Sequence, residues 1–510
     1  MKFLKYLTNI SVALLICSCV STSYRTMQSK LKTDLVTKNY DNAVLTVNNK
    51  KFIPEDRSIL LNKLEKGTTF YLKGDYFQAI QYFTEAQKIS DDLYTVSISK
   101  KIASVLNANL DNYYGEIYER SLIRFYESLI HYNLYKVGKY ESYTKNEDGT
   151  DILVPEKILT NSERRNHLMA SRSVIREWDS MLKSYYDRLA GKATYKIDIM
   201  SKLWGALIYE ESGKNEDRQI ALQLYKDAKK VLFRYYNNYP TFNKKSDEFA
   251  KNFQKLPNLT KDYIEKNFIE STEYYNDLSK YIDKKIDNLL KNNKDNLIVV
   301  LKENFVSPKL AKTITLPIPA MYFNLSETEF YNFIALLGIT SKEGLPIMKF
   351  EVPYVNEREI NSKVFARIYR DNKKVTEFQI LLSNPISDIA YKVFKDEEPI
   401  LSTKILTNAS VKYSTALLTA YNLYKQKQDS FGQLIAIISY KSAEKLIENS
   451  LKADTRFWST LTDEIRIGST KLKNGNYELV LCSIENGIEK NIYSTNITIE
   501  NKQNIIDVNI

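Results

Sequence analysis

Histidine occurs only twice in this chain of 510 residues, at His131 and His167, which leaves almost no material for a histidine-based metal centre or a conventional Ser-His-Asp triad. Three cysteines exclude a disulfide framework, so folding must rest on core packing. With 14 glycines and 11 prolines, there is little from which to build phosphate-cradling loops or long irregular segments. No G-x-S-x-G, H-E-x-x-H or Walker loop occurs. Beyond the first twenty residues, no apolar run approaches the roughly 20 residues of a bilayer-spanning helix. A dense basic block is missing too: the net charge of +11 is spread over 73 Lys and Arg and 62 Asp and Glu. Such a mild excess argues against nucleic acid, and lysines solvating helix faces account for it. What remains is globular: 43% hydrophobic, 26% charged, and long enough for at least two domains.

The first residues, M-K-F-L-K-Y-L-T-N-I-S-V-A-L-L-I-C-S-C, place two lysines and a short apolar run before small residues and Cys19. That order predicts a secretory signal over residues 1–18. The residues before Cys19 resemble the bacterial lipobox, in which a lipid is attached to the cysteine and the peptide is cut before it. Cys19 is therefore the expected lipidation site, and loss of Lys2 and Lys5 would leave a net charge of +9. Val20 rather than Asp follows it, which favours an outer-membrane anchor facing the periplasm.

From about residue 24 to 293, apolar residues recur at three- and four-residue spacing, and a helical domain over 19–293 is expected. Within it Gly67, Phe70, Gly74, Tyr76, Ala79, Phe83 and Ala86 follow the spacing of a tetratricopeptide repeat, a helix-turn-helix unit of about 34 residues. Gly67 and Ala79 would let two helices approach, Gly74 would allow the turn, and the aromatics would fill the space. Ala221, Tyr225 and Ala228 keep the second-helix spacing in a later unit, and Ala206, Tyr209 and Gly213 the first. Lys38, Tyr40, Ala43 and Val47 read as a degenerate second helix, and the run into Gly138 and Tyr140 as a unit broken by a polar loop. Near residues 291–296 the texture changes to short β-branched or alternating runs, so an α+β domain is expected over 297–510. It should contain helices over about Pro399–Lys427 and Gly432–Asn449, then hairpins with a turn at Asn486-Gly487. The expected fold is mostly α: a tetratricopeptide-like array followed by an α+β domain.

Three stretches carry a family resemblance: Y-Y-G-E-I-Y-E-R at 113–120, V-S-P-K with T-L-P-I-P at 306–319, and A-D-T-R-F-W-S-T-L at 453–461. The chain resembles an uncharacterised family of bacterial lipoproteins with tetratricopeptide-like helices and an α+β C-terminal half. The glycine- and proline-rich approach to V-S-P-K usual in that family is missing here. The resemblance implies an envelope location, a role tied to cell-wall synthesis and no assigned reaction.

Candidate chemistry is sparse. His131 sits among Tyr and Leu and reads as a core or edge histidine. Ser442 and Lys445 have S-x-x-K spacing, but the K-T-G partner is missing. Trp458 is expected to be buried between the last helix and the terminal sheet, with Asp454 and Arg456 paired beside it, and Cys482 is expected to be a core thiol. The apolar I-A-I-I-S-Y at 435–440 reads as core rather than membrane contact. These features predict a non-enzymatic envelope scaffold without cofactor, metal, nucleic acid or small-molecule substrate. Envelope proteins would be gripped in a groove lined by Thr68, Tyr71, Tyr132, Tyr135 and Glu210, on the first helices of successive units. The alternatives are a pilotin-type assembly lipoprotein, or a cell-wall hydrolase for which Glu116 and Glu119 would be the first suspects.

Overall fold

The computed structural model describes residues 19–510 apart from short stretches at 54, 105–111, 148–149, 189–193, 254, 319–326, 339–346, 361, 427–428 and 501–502. The expected signal segment, 1–18, lies outside the described residues, as does the Cys19 side chain. The described chain is mostly helical, with a mixed sheet in its C-terminal half.

Helices follow one another along the chain as packed neighbours: α1 (Cys19–Val36), α2 (Tyr40–Asn48), α3 (Glu55–Lys73), α4 (Tyr76–Ser104), α5 (Ile117–Val137), α6 (Asn161–Arg188), α7 (Ile199–Glu211) and α8 (Asn215–Arg234). Two short helices, α9 (Ser246–Asn252) and α10 (Lys261–Phe268), lead to α11 (Glu273–Leu290), which returns onto α8. The α3–α4 pair shows how the sequence sets this packing. At Gly74 the backbone adopts φ +88°, Asp75 N donates to Phe70 O at 3.0 Å, and the Asp75 carboxylate caps α4 by accepting from Gln78 N. A Cβ at Gly67 would lie 2.9 Å from the Phe83 ring, so only glycine allows this approach. Phe70, Ala79, Phe83, Ala86, Ala221, Tyr225 and Ala228 are all buried, and Tyr76 is half-buried. The polar stretch expected near residue 140 is instead a small β excursion: β1 (Lys139–Tyr140) pairs with β4 (Lys157–Ile158), and β2 (Tyr143–Glu147) with β3 (Thr150–Val154).

The main sheet is built from β5 (Leu297–Phe305), β8 (Ser362–Arg370), β9 (Lys373–Pro385), β10 (Thr462–Thr470), β11 (Gly475–Glu485), β12 (Ile488–Ile499) and β13 (Asn504–Asn509). Their order is β12-β11-β8-β9-β10-β5-β13, antiparallel except for β13 beside β5. Positive φ at Asp371-Asn372 and at Asn486-Gly487 makes the two tight hairpins; the second turn lies where the sequence places it. β5 explains the near-continuous L-I-V-V-L run, because both its faces are covered. Ile298 and Val300 join the helical core, together with Leu381, Ile465 and Ile467, while Leu297, Val299 and Leu301 join the core on the other side of the sheet. Helices and sheet thus share one hydrophobic core.

A second core holds a module formed by β6 (Lys309–Pro317), β7 (Ile347–Val355), α12 (Glu327–Leu337), the later part of α13 (Ile386–Gln426) and α14 (Ser430–Ser450). The helix expected to start at Pro399 begins 13 residues earlier and runs through that proline. Ile386, Ile389, Ala390 and Val393 bury themselves in the main core, and Ile405 to Tyr421 in the module's core. Burial at both ends outweighs the one backbone hydrogen bond that Pro399 removes.

Candidate functional site

Three segments far apart in the chain meet at one place: 113–120 entering α5, 306–309 leaving β5, and 453–461 joining α14 to β10. Glu116 and Glu119 form a reciprocal capping box at the start of α5. One Glu119 oxygen accepts from Glu116 N at 2.7 Å and from the Tyr113 hydroxyl, and the other accepts from Trp458 N at 2.7 Å. On α3, the two oxygens of Glu65 accept from Ser459 N at 2.7 Å and Thr460 Oγ1 at 2.6 Å. The Lys309 ammonium lies 2.7 Å from Glu116 Oε1. A non-helical residue inside α3, Ser58, frees the Arg57 carbonyl to accept from Tyr113 N at 2.8 Å and from Arg456 at 3.2 Å. Arg456 also pairs with Asp454 at 2.6 Å, as expected, and lies over the Tyr113 ring.

Trp458 is fully buried, but against the N-terminal helices rather than between the last helix and the sheet. Its Nε1 donates to Thr68 Oγ1 at 2.9 Å, and its ring packs 5.7 Å from Phe83 and 5.5 Å from Tyr126. The arrangement clasps a turn of main chain at 458–461, whose Trp458 and Ser459 N–H groups are accepted by buried carboxylates. Burial, with the nearby Glu116 charge, pushes the Glu119 carboxyl up to about 7, and burial raises Glu65 as well. Both oxygens of each carboxylate are engaged by the chain's own donors, so Glu119 does not face a cleft as the hydrolase alternative requires.

The predicted groove is filled by the chain itself. Thr68, Tyr71, Tyr132 and Glu210 are buried, and Tyr135 is half-buried. Besides Thr68 on Trp458, the Tyr71 hydroxyl meets Asp507 of β13, which also receives Lys302 and Asn133. Tyr132 donates to Glu211 at 3.1 Å, and Glu210 accepts from Tyr225 at 2.6 Å and pairs with buried Lys285 at 3.0 Å. Thr68 and Tyr71 are covered by residues hundreds of positions later in the sequence, Tyr132 and Glu210 by nearer helices.

Elsewhere, His131 and His167 lie side by side, Nδ1 to Nδ1 3.0 Å, with the Tyr140 hydroxyl 2.9 Å from His167 Nε2. No group of three or more His, Cys, Asp or Glu among the described residues is placed to hold a metal ion. Ser442 and Lys445 are both exposed on α14, while Cys482 is buried beside Asn491. Glu65 and Lys309 were not singled out from the sequence. For Glu65 a signal existed: it shares a helix face with Leu61 and Thr68, at spacings of four and three. Comparison of the chain with protein-family models, curated proteins and solved structures gives no match. Among the described residues, no helix is long and apolar enough to cross a membrane.

Proposed function

We propose that the chain is an exported, lipid-anchored, non-enzymatic scaffold of the bacterial envelope, with a role tied to cell-wall synthesis. In this reading α1–α8 form a tetratricopeptide-like array of four helix pairs, and the array holds its own C-terminal half. The support for repeats is the recurrence of small residues at helix crossings: Gly67 against Phe83, Gly205 against Ile175 and Leu224, and buried Ala79, Ala221 and Ala228. The single observation carrying the scaffold reading is the clasp, where Glu65 and Glu119 spend all four oxygens on Tyr113, Glu116 and residues 458–460. A partner is then met on outer surfaces, not in the groove.

Anchoring rests on the lipobox-like sequence before Cys19. Cys19→Ser should leave the chain either uncleaved or soluble, the soluble form being washed from membranes by high salt, whereas the native chain stays. Retention of the variant on salt-washed membranes, with unchanged processing, would refute the anchor. The non-enzymatic reading predicts that purified chain releases no soluble fragments from cell-wall polymer; release that depends on Glu119 would overturn it.

A further inference from the structure

Helix α14 buries a narrow stripe of Gly432, Ala436, Tyr440 and Ile447. On the opposite side Leu434 and Ile438 are 52% and 47% exposed, next to exposed Phe431, while Leu446, 57% exposed, lies on the flank. Advancing about 100° per residue, positions 434, 438, 441 and 445 fall on one line, so Lys441 and Lys445 continue the apolar stripe. The I-A-I-I-S-Y segment is therefore only partly core: Ala436 and Tyr440 point inward and Ile438 outward. On α13, Val411 and Leu418 are also exposed. Between residues 400 and 452 the sequence holds seven lysines against three carboxylates.

Large apolar side chains continuing into lysines, on a helix too polar to span a bilayer, suit a helix lying in the plane of an anionic lipid surface. The position of α14 in the chain fits as well. Seven residues after its end at Ser450 comes Phe457, whose ring centroid lies 5.5 Å from the ammonium of Lys32 on α1, the helix that begins at Cys19.

We infer that the outward face of α14, centred on Leu434, Ile438, Lys441 and Lys445, docks onto an anionic membrane surface. This rests on the envelope reading above, but its test does not need the anchor. Mature chain 19–510 carrying Cys19→Ser, and so without lipid, is floated with phosphatidylcholine vesicles containing about 30% phosphatidylglycerol, and with phosphatidylcholine alone. The expected result is binding to the anionic vesicles at least about tenfold tighter than to the neutral ones, weakening with salt. Leu434→Ser with Ile438→Ser should reduce it at least about tenfold. Lys441→Gln with Lys445→Gln should also reduce it and flatten the salt dependence. All four side chains are exposed, and an unchanged thermal midpoint checks the fold of each variant. No binding, or binding indifferent to both pairs, overturns the inference. So does a dimer of this chain that is lost in Leu434→Ser with Ile438→Ser, since a second copy would then cover the face.

Discussion

Gly67→Ala sets two effects against each other, and the structure decides the sign. In an ordinary helix interior the change stabilises by about 1 kcal/mol, because alanine gives up less chain entropy than glycine. Here the new methyl would lie 2.9 Å from Phe83 Cε2 and 3.0 Å from Cδ2. Phe83 cannot swing aside easily: it is fully buried, stacked on Tyr126 at 5.3 Å and 2° between planes, and 5.7 Å from Trp458. Overpacking against so confined a ring costs roughly 1 to 3 kcal/mol, so a net loss of about 1 kcal/mol is expected, read as a lower urea or thermal midpoint. Phe83→Leu supplies the control. In that background the methyl has room, and Gly67→Ala should be neutral or stabilising by up to about 1 kcal/mol, a coupling of about 2 kcal/mol between the two sites. A raised midpoint for Gly67→Ala in the otherwise native chain would refute the close-crossing argument.

Other outcomes follow from the filled groove. Tyr71→Ala should destabilise the fold by about 3 to 5 kcal/mol, since its ring is buried against Tyr76 and Tyr126 and its hydroxyl on Asp507; a variant of native stability would mean the groove is open. The Glu119 carboxyl, raised by burial from 4.5 to about 7, keeps its proton longer in the folded chain than in the unfolded one. Its contribution is therefore full below about pH 4.5 and is lost as pH rises through 7, on the order of 3 kcal/mol across that window. Glu119→Gln, which cannot titrate, should flatten that part of the stability profile, and an unchanged slope between about pH 5 and 8 would contradict the assignment.

Periodic packing was legible in the sequence, and tertiary cover was not. The change from helix to sheet near residue 294, the Asn486-Gly487 turn and the buried small residues at 67, 79, 221 and 228 all follow from local rules. The groove failed because the spacing of Thr68 and Tyr71 specifies a face but not its occupant. Here the occupants are Trp458 and Asp507, roughly 390 and 436 residues away. The start of α13 was missed because Glu397-Glu398-Pro399 reads as a break, whereas burial in two separate cores carries the helix through it. Buried carboxylates are hard to foresee for a similar reason: Glu65 and Glu119 look like solvated helix residues until the main chain that donates to them is in place.

The claim that α3 and α5 clasp the 453–461 segment is tested most directly by hydrogen exchange at the Trp458 and Ser459 amides in the full chain. Both are buried and donate to carboxylates at 2.7 Å, so they should exchange as slowly as Ile465 and Ile467 in β10. Glu119→Ala should release the first selectively and Glu65→Ala the second. Exchange in the native chain as fast as at the exposed Asp371-Asn372 turn would show that the segment is not held by α3 and α5.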